Sequence, residues 1–185
     1  MHRTLALWYA EHVNFTKLLD VLGDQLKVFH AGGMPRYELM LDIMYYMTHY
    51  SDVLHHPKED LVFAKIKARN KEIAPKIDAL IEQHVSLRDL GEELTRDLDG
   101  IVNGSIFPRE RVEAAASDYV THLRNHMRTE ETEILPLAGK LLQDEDWSEI
   151  DGAIGHIEDP LFGPSTEARY AALRDQIARQ ARTSE

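Results

Sequence analysis

Cysteine is absent from the 185 residues. The chain can form no disulfide, offers no thiolate nucleophile and cannot hold zinc or an iron–sulfur cluster through sulfur. Any metal must be held by His, carboxylate or Tyr. This composition suits a reducing cytosol, and a cytoplasmic location is the expectation. Positive charge is also short: 21 Lys and Arg against 32 Asp and Glu leave a formal net charge of -11. Nucleic acid and anionic membrane surfaces would repel such a chain, so neither is an expected partner. Long apolar runs are missing too. "LMLDIMYYM" is interrupted by Asp42 and falls short of a membrane span. The opening "MHRTLALWYAEHVNF" has only a short apolar run before Glu11 and His12, and does not read as a signal peptide. At this length one domain is expected, removing roughly 70% of its unfolded surface from water.

β-branched alternation and hairpin signals are scarce, whereas apolar residues recur at helical spacing almost throughout, so the predicted class is all-α. A first helix is striped by Leu5, Trp8, Phe15, Leu19, Leu22, Leu26 and Phe29 and stops at Gly32-Gly33 and Pro35. A second runs from about Tyr37 to Arg69 and contains Pro57, so it should kink or restart near His55. A third begins near Pro75, follows Ile77, Leu80, Leu87, Leu94 and Leu98, and ends near Gly100. The fourth spans about Pro108 to Leu142, with Val112, Ala115, Tyr119, Ile134, Leu137 and Leu141 as its stripe. Four long helices with short loops predict an up-down-up-down antiparallel four-helix bundle over residues 1–145. Residues 146–185 form a C-terminal helical extension: a "DPLFGPS" linker, then an amphipathic tail through Tyr170, Leu173 and Ile177 that packs on the bundle or on a partner.

Each stripe has a gap filled by a group that bonds metals. His12 lies between Trp8 and Phe15, and His84 between Leu80 and Leu87. In the fourth helix the seam is expected to pass through His122, His126 and Glu130 before turning apolar again at Ile134. Residues four apart share a face, so His126 and Glu130 address one point, and His55 with Glu59 repeats the pair. "HHPKEDLVF" and "HMRTEETEIL" rhyme: His, then three residues, then two acids and an apolar run. An unpaired imidazole or carboxylate inside a bundle is costly, and coordination removes the cost. Ligands from four helices suffice for two ions bridged by carboxylates. Imidazole with carboxylate suits iron, manganese or zinc, and the surplus over four ligands favours a higher-coordination ion such as iron over tetrahedral structural zinc. Taken singly, a seam histidine is an ordinary hydrogen-bonded core residue and a His-x3-Glu pair an ordinary solvated face. Their shared register on faces set independently by leucines separates the two readings. His2, His30 and His156 read as structural, and His49 as packing beside Tyr46 and Tyr50. Those tyrosines read as core, with either one near a metal.

With these residues in hand, the chain resembles the hemerythrin-like, HHE cation-binding family over about residues 3 to 145. The likeness lies in Glu11-His12, "HHPKED" at His55 to Asp60, His84, and "HLRNHMRTEETEILPL" from His122. It implies a non-haem centre of two iron ions, bridged by two carboxylates, that takes a small diatomic or peroxide ligand such as O2 or NO. Carried over by motif, the implied ligands are His12, His55, Glu59, His84, His126 and Glu130. Oxygen-carrying members have a second helix-three histidine one turn after the first; here that position is Arg88. His56 or His122 is then the candidate for an extra ligand, and Asp60 competes with Glu59. The expected function is sensing, sequestration or detoxification of the ligand. A peroxide- or NO-reducing enzyme and a metal-free helical interaction module are the alternatives. A homodimer or a redox partner is the expected protein partner.

Overall fold

A computed structural model describes residues 2–153 and 158–183. His156 lies outside the described residues. The described residues are helical, with no strand among them. Helix α1 covers Arg3–His30. The second rod is composite: α2 over Tyr37–Tyr46, a π-helical segment over Met47–His55, and α3 over His56–Arg69. Helix α4 covers Ala74–Val102. The fourth rod joins α5 over Arg109–Thr129, a π turn over Glu130–Ile134, and α6 over Leu135–Leu141. Three further pieces follow: α7 over Asp144–Ala153, a 3-10 turn over Ala168–Tyr170, and α8 over Ala171–Thr183. The rods pack in a ring, α1 against α2 and α5, and α4 against α2 and α5. No described helix is long and apolar enough to cross a membrane.

Helix ends follow local chemistry. Gly32 at φ 75° and Gly104 at φ 91° supply left-handed residues that a side chain would resist. They let Gly33 N–H reach back to Val28 O and Ser105 N–H to Gly100 O, closing α1 and α4. Both π segments end two residues before a proline, at His55 before Pro57 and at Ile134 before Pro136. Proline has no N–H to donate and its ring crowds the carbonyl four residues back, so the preceding turn widens. His56 N–H accordingly bonds Ser51 O, and Leu135 N–H bonds Glu130 O.

The widened turn corrects the expected fourth seam. One extra residue in the turn moves the buried positions from Leu137 and Leu141 to Leu135, Ala138 and Leu142. Upstream the buried positions are Val112, Ala116, Tyr119, Leu123 and His126, so Ala116 replaces Ala115.

Two apolar clusters form the core, one around Leu18, Leu22, Ile43, Met44 and Leu94, the other around Leu5, Trp8, Val62, Phe63 and Ile134. Between them each rod contributes polar residues at equivalent height: Trp8, His12, Phe15 on the first, and Leu80, His84, Leu87 on the third. The extension belongs to this same core. Trp147 and Ile150 of α7 join the second cluster; Leu161, Tyr170 and Leu173 join the first. The "DPLFGPS" stretch is therefore packed rather than free: Asp159 accepts from the Leu161 and Phe162 N–H groups and from the Tyr46 hydroxyl.

Candidate metal centre

The polar layer is closed to solvent: His12, His55, Glu59, His126 and Glu130 are each at most 2% exposed, and His56 and His84 are buried. It is built as two facing imidazole pairs. His12 Nε2 and His55 Nε2 are 3.0 Å apart, and His84 Nε2 and His126 Nε2 are 2.9 Å apart. Two carboxylates connect the pairs. Glu59 sets Oε1 3.2 Å from His55 Nε2 and 3.6 Å from His12 Nε2, and Oε2 3.7 Å from His84 Nε2. Glu130 sets Oε1 3.1 Å from His126 Nε2 and 3.6 Å from His84 Nε2, and Oε2 3.6 Å from His12 Nε2. Donor atoms of His12, His55 and Glu59 lie within 4.8 Å of one another, and so do those of His56, Glu59, His84 and His126.

The outer nitrogens are all occupied. His12 Nδ1 donates to Glu131 at 3.0 Å, His55 Nδ1 to Glu11 at 2.6 Å, His84 Nδ1 to Asp60 at 2.9 Å, and His126 Nδ1 to Gln83 Oε1 at 3.0 Å. Each acceptor is an oxygen with no proton to give, so the Nδ1 side carries the hydrogen, and in the neutral ring the Nε2 lone pair turns inward. The sequence pointed to Glu11 and Asp60 but not to this role, and it did not point to Gln83 or Glu131. Their signal is adjacency, since Glu11 precedes His12, Asp60 follows Glu59, Gln83 precedes His84 and Glu131 follows Glu130. Each neighbour of a buried group braces the histidine of another rod.

Electrostatics follow from this packing. Burial pulls His55 down, but the Glu59 charge and the bond to Glu11 outweigh it and raise it to about 10. His84 is likewise lowered by burial and raised on balance to about 9 by Asp60, Glu130 and Glu59. His12 moves up for the same reason, with Glu59 as its main support against burial. Burial dominates at His56, whose pKa falls despite Asp52. Glu59 and Glu130 stay below the ordinary carboxylate range: burial opposes ionisation, and the imidazoles overcome it.

The layer fits a cation. All four oxygens of Glu59 and Glu130 are buried without a well-directed hydrogen bond, and only imidazole nitrogens approach them, an expensive state for ionised carboxylates. Two imidazoles bound at right angles to one ion at about 2.1 Å place their nitrogens roughly 3.0 Å apart, as the two pairs here are placed. One oxygen of each carboxylate faces each pair.

The structure sorts the remaining candidates. His56 joins the cluster, with its Nδ1 3.1 Å from Asp52 and its ring stacked on His84 at 4.3 Å. Asp60 stands outside, bracing His84, so Glu59 alone of that pair faces the layer. His122 does not belong: it is exposed, and its Nδ1 donates to Asp118 O at 2.9 Å. The buried line on α5 passes from Tyr119 to Leu123 and His126, leaving His122 one position off the face. His49 stacks on Tyr45 rather than on Tyr46 or Tyr50. His30 bonds Leu26 O as a helix-end residue, and His2 stacks on Trp147. A cleft of about 120 Å³, lined in part by Asp52, His56, His84 and Arg88, borders the layer.

A helical bundle enclosing a buried His/Glu layer that fits cations defines a class of cation-binding domain. Within it, the sequence model of the hemerythrin HHE cation-binding domain matches residues 3–138, and the chain belongs to that family. No curated protein matches the chain.

Proposed function

We propose that the chain is a non-haem di-iron protein that binds O2, NO or peroxide for sensing, sequestration or detoxification. The observation that carries this reading is the pair of orphaned carboxylates, each offering one oxygen to each imidazole pair. His12 and His55 would hold one ion, and His84, His126 and His56 the other, with Glu59 and Glu130 shared between them. Zinc fits the same donors less well, because the donor count exceeds a tetrahedral set; manganese takes the same donors at the same coordination number, and metal content decides between it and iron. When bound, the two ions supply reversible redox change and open positions for a small ligand. The chain's own residues do the rest. Glu11, Asp60, Gln83 and Glu131 fix ring orientation, and Phe15, Leu87 and Ile134 keep bulk water from the layer. The three-histidine side borders the cleft at His56 and His84, where Arg88 stands at the position one turn after His84. Short loops between the four rods support an up-down-up-down course, which presents one donor-bearing turn of each rod at a common height.

The test is metal content with the near-ultraviolet and visible spectrum of protein purified aerobically. Two irons per chain with charge-transfer absorption, both lost in His126→Ala, are expected. Absence of stoichiometric metal after anaerobic iron reconstitution would sink the reading and leave a metal-free module whose polar layer sets helix register.

A further inference from the structure

The tyrosines behind His55 have no part in the reading above, yet they form a connected path. Glu11 Oε2 takes the His55 Nδ1 proton bond at 2.6 Å, and its other oxygen accepts from the Tyr50 hydroxyl at 3.5 Å. Tyr50 stacks on Tyr46 with ring centres 5.1 Å apart, and Tyr46 meets Tyr170 edge-on at 5.8 Å. Phe15 closes the remaining gap, 5.0 Å from the His55 ring and 6.4 Å from Tyr46. Both inner phenols bond a carboxylate, Tyr50 to Glu11 and Tyr46 to Asp159 at 3.0 Å. Tyr50 and Tyr170, on either side of fully buried Tyr46, both line a cavity of about 230 Å³ together with His49 and Glu167.

Buried tyrosines usually find some partner for the hydroxyl. What distinguishes these two is the kind of partner. A phenol that loses an electron becomes a strong acid, and oxidation is easy only where a base takes the proton. A carboxylate at each hydroxyl meets that need, whereas a purely structural bond could use any carbonyl.

We propose that Tyr50 and Tyr46 form an electron relay between the metal centre and the cavity beside Tyr170, with Tyr50 oxidised first. The proposal rests on the metal-centre reading. Hydrogen peroxide is the oxidant, and it needs two electrons and two protons to become two waters. Tyr50 passes one electron inward and its phenolic proton to Glu11, leaving a neutral tyrosyl radical. Glu11 borders a second surface cavity, of about 290 Å³, beside Lys58, through which the proton reaches solvent. Tyr46 then passes its electron to Tyr50 and its phenolic proton to Asp159, while Tyr50 takes a proton back from solvent through Glu11. A phenolic reductant in solution then gives one electron through Tyr170 to Tyr46, which takes its proton back from Asp159. The reductant loses its own proton to solvent and leaves as a phenoxyl radical, and solvent supplies the protons that peroxide takes up. Two such passes balance one peroxide against two phenols.

The experiment uses the full chain, its iron content measured first. Failure to load iron would sink the metal-centre reading and the relay with it; once iron is loaded, the relay is judged alone. Loaded protein is mixed with stoichiometric hydrogen peroxide, without reductant, and frozen for electron paramagnetic resonance. A tyrosyl radical signal is expected, absent from the metal-free chain and lost in a Tyr50→Phe variant that keeps its iron and its helical circular dichroism. In parallel, a nitroso spin trap on the unmodified chain should leave its adduct on Tyr50, Tyr46 or Tyr170. No radical in loaded protein, an undiminished signal in Tyr50→Phe, or an adduct only on Trp8 or Tyr119 would each overturn the relay.

Discussion

At the residue scale, the layer is a set of bases held close together, and its behaviour without metal follows. His55 at about 10 and His84 at about 9 stand above their ordinary 6.5. Their protonated forms therefore stabilise the metal-free fold fully below about pH 6.5, and that stabilisation is lost as pH rises through 9 and 10. Thermal melts in chelator should show the melting temperature falling between pH 7 and pH 10; a flat or rising profile would refute this account. Cations compete for the same nitrogens, so loading releases protons and tightens as pH rises. Much of the layer was legible in single residues, because His12, His84 and the two His-x3-Glu pairs interrupt otherwise apolar stripes. Glu59 against Asp60 was not legible. Neighbouring residues on a helix point about 100° apart, and the local rotation at Pro57 decides which one faces inward.

At the element scale, the π segments and a glycine set how the rods meet. Each widened turn sits within or beside a donor pair, and the one at Glu130–Ile134 advances the buried line by a residue. Periodicity read at a constant helical pitch cannot register that insertion, which is why Leu137 and Leu141 looked inward. On α4, Gly91 fills the place in the stripe between Leu87 and Leu94. A Cβ there would sit 3.1 Å from Thr48 Cγ2 and 3.3 Å from Tyr119 Cε2. Alanine gains about 1 kcal/mol in helix propensity, but overpacking against fully buried Tyr119 costs about 1–3 kcal/mol. Gly91→Ala should therefore lose about 1 kcal/mol in urea denaturation, the balance of those two effects. A gain in stability would show that Thr48 turns aside freely.

At the scale of the whole molecule, a charged layer divides the core into two apolar clusters, so cation binding and folding are coupled. Binding only the folded state stabilises it by about 4 kcal/mol per site when free metal exceeds Kd a thousandfold. Chelation should lower the melting temperature by many degrees, as followed by circular dichroism; an unchanged melt would mean that the layer serves helix register alone. The amino-acid order by itself determined the all-helical class, the four rods, and the heights at which His12, His55, Glu59, His84, His126 and Glu130 occur, because apolar periodicity and its interruptions are local properties of a helix. Tertiary structure alone decided that His56 enters while His122 faces water, that Glu11, Asp60, Gln83 and Glu131 brace histidines on other rods, and that Leu161, Tyr170 and Leu173 complete the core. Those outcomes depend on the rotation and packing of one rod against another, which no spacing within a single helix records.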